Sequence, residues 1–196
     1  MKNLSLKWLL VPLMLITLGI VNAWGTNPDV DDEIFKEEWG GDGIQANAYT
    51  FTGTTTWSGS TTGLAYSSSS TSSLLSSTTA GVITSDNFFF VRNSASTLTM
   101  GGIAIPSNVT DITVSFASNK TIINCTYSFD GSDYSTGATS VNGTQKFDVD
   151  CEGESTLYLK FNKTGTSSNA RLDDITITVK AVSSAGSTKT LDETGH

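Results

Sequence analysis

Ala170-Arg171-Leu172-Asp173-Asp174-Ile175-Thr176-Ile177-Thr178-Val179 is the stretch from which the fold can be read. Ile175, Ile177 and Val179 alternate with Thr176, Thr178 and Lys180, the period-2 pattern of a strand with one buried face. Leu172 is out of phase with that set, so the pattern slips at Asp173-Asp174, as it does across a β-bulge. An acidic pair at a bulge is either a solvated edge or half of a calcium site, and the rest of the chain must decide between them.

The same alternation recurs upstream at roughly ten-residue intervals. Ile112, Val114 and Phe116 share one face of 109–117, Phe147 and Val149 one face of 145–151, and Leu157, Leu159 and Phe161 one face of 156–162. Further strands are expected at 33–35, 48–53 with an extension to Trp57, 87–91, 98–105 and 121–129. Segment 58–79 is Ser/Thr/Gly-rich and reads as a long surface loop anchored by Leu64, Tyr66, Leu74 and Leu75. Short strands separated by turn signals, with no sustained 3.6-residue apolar period, make the chain all-β: an antiparallel β-sandwich, jelly-roll-like. Roughly seven to ten strands fit that spacing.

The ends of the chain carry other messages. Lys2 and Lys7 precede an apolar run from Trp8 to Val21, and Val21-Asn22-Ala23 has the small-x-small form of a signal peptidase site. The expected organisation is a signal peptide at 1–23, a polar leader at 24–32, one sandwich domain at 33–181 and a polar tail or linker at 182–196. Such a chain is secreted, periplasmic or displayed at the cell surface, with no membrane association after cleavage. A formal charge of -8 argues against nucleic acid and anionic membrane surfaces as partners and fits neutral ligands, cations or a protein. Cys125 and Cys151 fall in core phase, and in an oxidising compartment they read first as a disulfide, with a buried reduced pair as the alternative.

Three short motifs carry a resemblance. They are Tyr127-Ser128-Phe129-Asp130-Gly131-Ser132-Asp133-Tyr134, then Leu157-Tyr158-Leu159-Lys160-Phe161, then Asn169 to Ile175. Together they resemble secreted bacterial jelly-roll domains of the carbohydrate-binding-module, galactose-binding-like kind, over residues 109–181. The resemblance implies a non-catalytic domain that binds carbohydrate or a cell-surface glycan. It also implies a structural calcium, in which Asp173 or Asp174 meets a carboxylate of the first strand among Asp31, Asp32 and Glu33. The chain departs from the usual leader of such modules, where a single Glu stands beside a Phe after a glycine turn.

The residues themselves argue against catalysis. The only histidine, His196, ends a polar tail, so no nucleophile has a credible base and no zinc site has its usual ligand. A glycosidase needs two opposed carboxylates; Asp148, Asp150, Glu152 and Glu154 are the candidates, and Asp148 and Asp150 alternate outward on one strand. Sugar binding instead asks for aromatic faces with a few amides and charges. The candidates are Trp39, Trp57, Tyr66 and Tyr134, with Asn87, Arg92 and Asp133 as polar partners. Asn108, Asn119, Asn124, Asn142 and Asn162 each begin an Asn-x-Thr triplet, a by-product of Asn/Thr richness if the chain is bacterial. A structural or adhesive surface domain with protein contacts and no sugar site is the second reading, a glycoside hydrolase the third.

Overall fold

The structure is a computed structural model and describes residues 27–39, 49–53, 55–69, 74–75, 78–79, 82–83, 88–90, 95–139 and 142–183. The expected signal peptide at 1–23, Asn87, Arg92 and residues 184–196 lie outside these residues. In chain order the strands are β1 (Glu33–Glu37), β2 (Tyr49–Phe51), β3 (Thr56–Gly59), β4 (Ala65–Ser68), β5 (Leu74–Leu75), β6 (Thr78–Thr79), β7 (Val82–Ile83) and β8 (Phe88–Phe90). Longer strands follow: β9 (Ser96–Ala104), β10 (Val109–Ser118), β11 (Ile123–Ser128), β12 (Ser135–Thr139), β13 (Gly143–Asp150), β14 (Thr156–Lys163) and β15 (Ala170–Val182).

They form two antiparallel sheets that face each other. The first has the order β13-β10-β15-β8-β5, with β1 also on β15; the second has the order β12-β11-β14-β9-β4-β3-β2; β6 and β7 pair apart. From β8 onward the chain repeatedly crosses between the sheets, which gives the sandwich its jelly-roll-like character. Period-2 alternation does the rest. On β14, Leu157, Leu159, Phe161 and Lys163 point inward while Tyr158, Lys160 and Asn162 point out, and β10 reads the same way.

Ile112, Val114, Phe116, Leu157, Leu159, Phe161, Ile175 and Ile177 are completely buried, each worth about 1.5–3 kcal/mol of transfer free energy. Phe116 and Phe161 meet edge-on across the sandwich at 5.3 Å. The expected bulge is present. Between the pairs Ser115↔Thr176 and Ala117↔Asp173, β15 advances one residue more than β10, and Asp174 takes φ of 42°.

Two expectations need correction. Thr56–Gly59 is a separate strand that folds back on β2, and Ala65–Ser68 is a strand rather than loop, paired to both β3 and β9. Each of these segments carries one large ring among Ser, Thr and Gly, too few apolar residues to reveal a period. β12 also went unread, because Ser-Thr-Gly-Ala-Thr holds no large side chain. Its place comes from Gly137: a Cβ there would stand 2.6 Å from the Phe147 ring, so only glycine lets that ring close the seam between the sheets.

Candidate functional site

Trp57 and Tyr66, expected to bind sugar, are only 2% exposed. They are cross-strand partners on β3 and β4 and stack in parallel at 5.8 Å inside the sandwich. Around them stand Trp39, Tyr49 and Phe88. At the centre lies the Glu37 carboxylate, completely buried, which accepts hydrogen bonds from the Tyr49 hydroxyl (2.5 Å), the Tyr66 hydroxyl and the Trp39 backbone N–H (2.8 Å). Trp39 adopts φ of 52° just past the end of β1, a left-handed conformation uncommon for a bulky residue. This box ties β1 of one sheet to β2 and β4 of the other. A groove lined by Trp57, Tyr66 and Tyr134 therefore does not form.

The cysteines are also corrected. Both are buried free thiols. Cys125 lies opposite Phe161 on β14, whereas Cys151 lies at the other end of the sandwich, bonded to Thr110 and Glu154 beside Ser155. Six residues of strand separate those levels, about 20 Å, against the 4.4–6.8 Å a disulfide needs. Burial pushes the Cys125 thiol far up; burial, then Asp111, Asp150 and Glu154, push Cys151 up to about 11.

The first-strand carboxylates named for calcium, Asp31, Asp32 and Glu33, stand apart from Asp174. β1 runs antiparallel to β15, which sets Glu33 opposite Thr178 and Asp32 against Val179. Asp174 sits four residues away along β15, about 13 Å, within the field of Lys36, which is paired to Glu38. No group of three or more His, Cys, Asp or Glu able to hold a metal occurs among the described residues. Of the acids considered for hydrolysis, Asp148 is held below the usual carboxylate range by hydrogen bonds from Lys180 (2.7 Å) and Thr113 (2.7 Å). A general acid needs the opposite shift.

Tyr134 and Asp133 stand where an aromatic contact surface exists. The outward row of the second sheet runs Ser128–Tyr158–Gly101–Ala65–Ser58, and the next runs Thr126–Lys160–Thr99–Ser67–Thr56. One ring, Tyr158, rises from a floor of small residues. Opposite it β9 bulges through Gly101 and Gly102, the latter at φ of 83°. A Cβ at Gly101 would meet the Tyr158 ring at 3.1 Å and one at Gly131 at 3.2 Å, so two glycines form the slot that holds the ring.

Tyr134 stands beside it with the Lys160 Nζ 3.5 Å from its ring centre. Burial, then Tyr158 and Asp130, raise the Tyr134 phenol above its usual value. The turn that delivers Tyr134 is rigid: Asp130 accepts from the Ser132 N–H (2.8 Å), the Asp133 N–H (3.0 Å) and the Ser128 hydroxyl (2.7 Å). Sequence reasoning missed Tyr158 and Lys160. The signal was available, since Tyr158 is a large ring in the polar phase of an alternating strand.

No family model matches the chain, and no curated protein does. Among solved structures it is similar to the CBM22-1 xylan-binding domain of Xyn10C from Paenibacillus barcinonensis, with 13% identity and a TM-score of 0.42, covering 81% of this chain and 100% of that one. It is similar to the exo-β-1,3-galactanase of Phanerochaete chrysosporium solved with galactose, with 15% identity and a TM-score of 0.32, over 46% of this chain and 22% of the enzyme. A third neighbour is the K2 cleaved adhesin domain of Lys-gingipain, with 16% identity and a TM-score of 0.34, over 58% of this chain and 83% of that domain. At such identities ligand and activity must come from the chain's own side chains.

Proposed function

We propose that this is an exported, non-catalytic domain that binds carbohydrate on the outer face of its second sheet, with Tyr158 as the stacking platform and Tyr134 beside it. The observation that carries the reading is the glycine slot of Gly101 and Gly131 against the Tyr158 ring. A partly exposed ring wedged between two glycines offers a sugar an apolar surface at little cost in side-chain entropy. The surrounding Thr99, Thr126, Ser67 and Asn162 supply hydroxyl and amide groups, and Lys160 and Asp133 supply charge at the rim. The resemblance of 109–181 to carbohydrate-binding modules supports the same class. The net acidity of the chain points to neutral rather than acidic glycans.

The test is a neutral-glycan array probed with the mature protein and with Tyr158→Ala and Tyr134→Ala. Binding that falls at least tenfold in Tyr158→Ala, with an unchanged unfolding midpoint, supports the face; binding that survives both substitutions moves the site elsewhere. Tyr158 is outward and its removal opens no core cavity, so the two readouts separate.

A further inference from the structure

A cleft of about 410 Å³ lies on the other sheet, at the end of the sandwich where β10 and β13 meet the bulge of β15. Its lining is Ala117, Ser118, Asn119, Asn142, Gly143, Arg171 and Asp173. Its volume is in the lower part of the about 300–1,000 Å³ usual for small-ligand sites. The hollow has a local cause. Ala117 is a short side chain between Thr144 and Asp173 on the neighbouring strands, and a Cβ at Gly143 (φ of 110°) would meet nothing within 4 Å.

The rim is made of hydrogen-bonding side chains held from separate elements. Asn119 continues the ladder past the end of β10: its N–H donates to the Arg171 carbonyl (3.3 Å), and its Oδ1 accepts from the Arg171 N–H (2.8 Å). With Oδ1 engaged, the Nδ2 group is the part left to meet a ligand. Arg171 is exposed and has no ion pair among the described residues, although it stands two residues from Asp173. Asp173 is steadied by the Asp174 N–H at 3.0 Å on Oδ1. The bulge at Asp174 is what sets Asp173 opposite Ala117.

We infer that this cleft is a second binding site, for a single neutral pyranoside unit, recognised through hydroxyl hydrogen bonds and distinct from the tyrosine face. The donor and acceptor balance selects that class. Arg171 and the two asparagine amides donate to ring and hydroxyl oxygens, while the Asp173 carboxylate accepts from a pair of neighbouring hydroxyls. An anion would gain Arg171 but face Asp173 and a net negative chain; a cation would meet Arg171. An apolar ligand would displace water from this polar rim without replacing its hydrogen bonds. A polyol replaces them.

The inference goes beyond the tyrosine-face reading and can fail separately from it. The experiment is a ¹H–¹⁵N NMR titration of the protein with methyl β-D-galactopyranoside, methyl β-D-glucopyranoside, methyl β-D-xylopyranoside and methyl α-D-mannopyranoside, each to about 50 mM, a range that detects millimolar Kd. At least one glycoside should shift the Asn119 and Asn142 side-chain amides together with the Gly143, Arg171 and Asp173 backbone amides. Asp173→Asn and Arg171→Ala should each weaken that binding at least tenfold, whereas Tyr158→Ala leaves it within twofold. Shifts confined to the Tyr134 and Tyr158 face overturn the second site and leave the first standing. Silence at the cleft with every glycoside, or binding unchanged in the Asp173→Asn/Arg171→Ala double variant, also overturns it.

Discussion

Glu37 is the most consequential buried polar residue to perturb. Its carboxylate accepts from the Tyr49 and Tyr66 hydroxyls and the Trp39 N–H, all inside the sandwich. Glu37→Ala would take away the acceptor these three donors share. One unsatisfied buried donor costs about 1–3 kcal/mol, but the variant also removes a charge whose burial is itself unfavourable. The expected net loss is therefore about 3–5 kcal/mol, the range for deleting one partner of a buried charged network. Against a typical domain stability of about 5–15 kcal/mol that is a large fraction. Glu37→Gln keeps the shape, and a tyrosine hydroxyl can turn to accept from the new amide, so about 1–2 kcal/mol is expected. Tyr66→Phe removes a bond to the charged oxygen and a 2.7 Å partner of Thr62, for about 1.5–3 kcal/mol. The triple variant Glu37→Met/Tyr49→Phe/Tyr66→Phe removes the acceptor with two of its three donors, leaves only the Trp39 backbone N–H to be re-satisfied, and should cost less than Glu37→Ala alone. Equilibrium urea unfolding followed by tryptophan fluorescence reads all four, since Trp39 and Trp57 line the box. A Glu37→Ala loss under about 1 kcal/mol, or a triple variant worse than Glu37→Ala, would refute the account of a charge stabilised by its donors.

Three further outcomes follow from the same geometry. Reductant should leave the melting temperature unchanged, and a thiol reagent should modify Cys125 and Cys151 fully in denaturant but slowly in the native protein; a native protein lacking free thiols would contradict the separation along the strands. Asp130→Ala should destabilise the turn at neutral pH. Hydrogen bonds from Ser132, Asp133 and Ser128 lower the folded pKa of Asp130, so its contribution is complete above the unfolded value near about 3.9 and is lost as pH falls toward the folded one. The gap between wild type and variant in pH-dependent melts should therefore narrow below about pH 4, and a gap that is constant or widens in acid sinks this reading. Chelation with EDTA should not shift the melt, because Asp32 and Glu33 lie about 13 Å along β15 from Asp174; a fall of several degrees would show a metal held in some other way.

The parts of the fold visible in the sequence were those with two or more apolar residues per strand in strict alternation. β10, β13, β14 and β15 all meet that condition, and the slip at Leu172-Asp173-Asp174-Ile175 announced its bulge. β3, β4 and β12 do not meet it. Trp57 and Tyr66 looked available for a ligand because their neighbours are Ser and Thr, and only the long-range Glu37 box shows why those rings are buried. Phase told correctly that Cys125 and Cys151 face inward, but phase carries no information on level along the strand, which decides bonding. The first-strand carboxylates stand away from the bulge for a related reason. An antiparallel first strand brings its end, not its beginning, to the bulge, so Glu37 and Glu38 rather than Asp32 and Glu33 approach Asp174.

The two candidate surfaces share one construction. On β9 the inward residues Met100 and Ile103 are three apart, and on β15 Leu172 and Ile175 are three apart, where regular alternation would give two. Each extra residue is absorbed on the outside of the sheet, as Gly101-Gly102 facing Tyr158 and as Asp173-Asp174 beside Ala117. A bulge thus changes what the outer face presents without moving an inward side chain out of the core. Stability and the proposed recognition then occupy opposite phases of the same strands: Leu157 and Leu159 hold the sandwich while Tyr158 between them lies on the outer face. Substitutions at Tyr158, Arg171 or Asp173 should accordingly alter binding with little change in unfolding free energy, and substitutions at Leu157, Leu159, Leu172 or Ile175 should do the reverse.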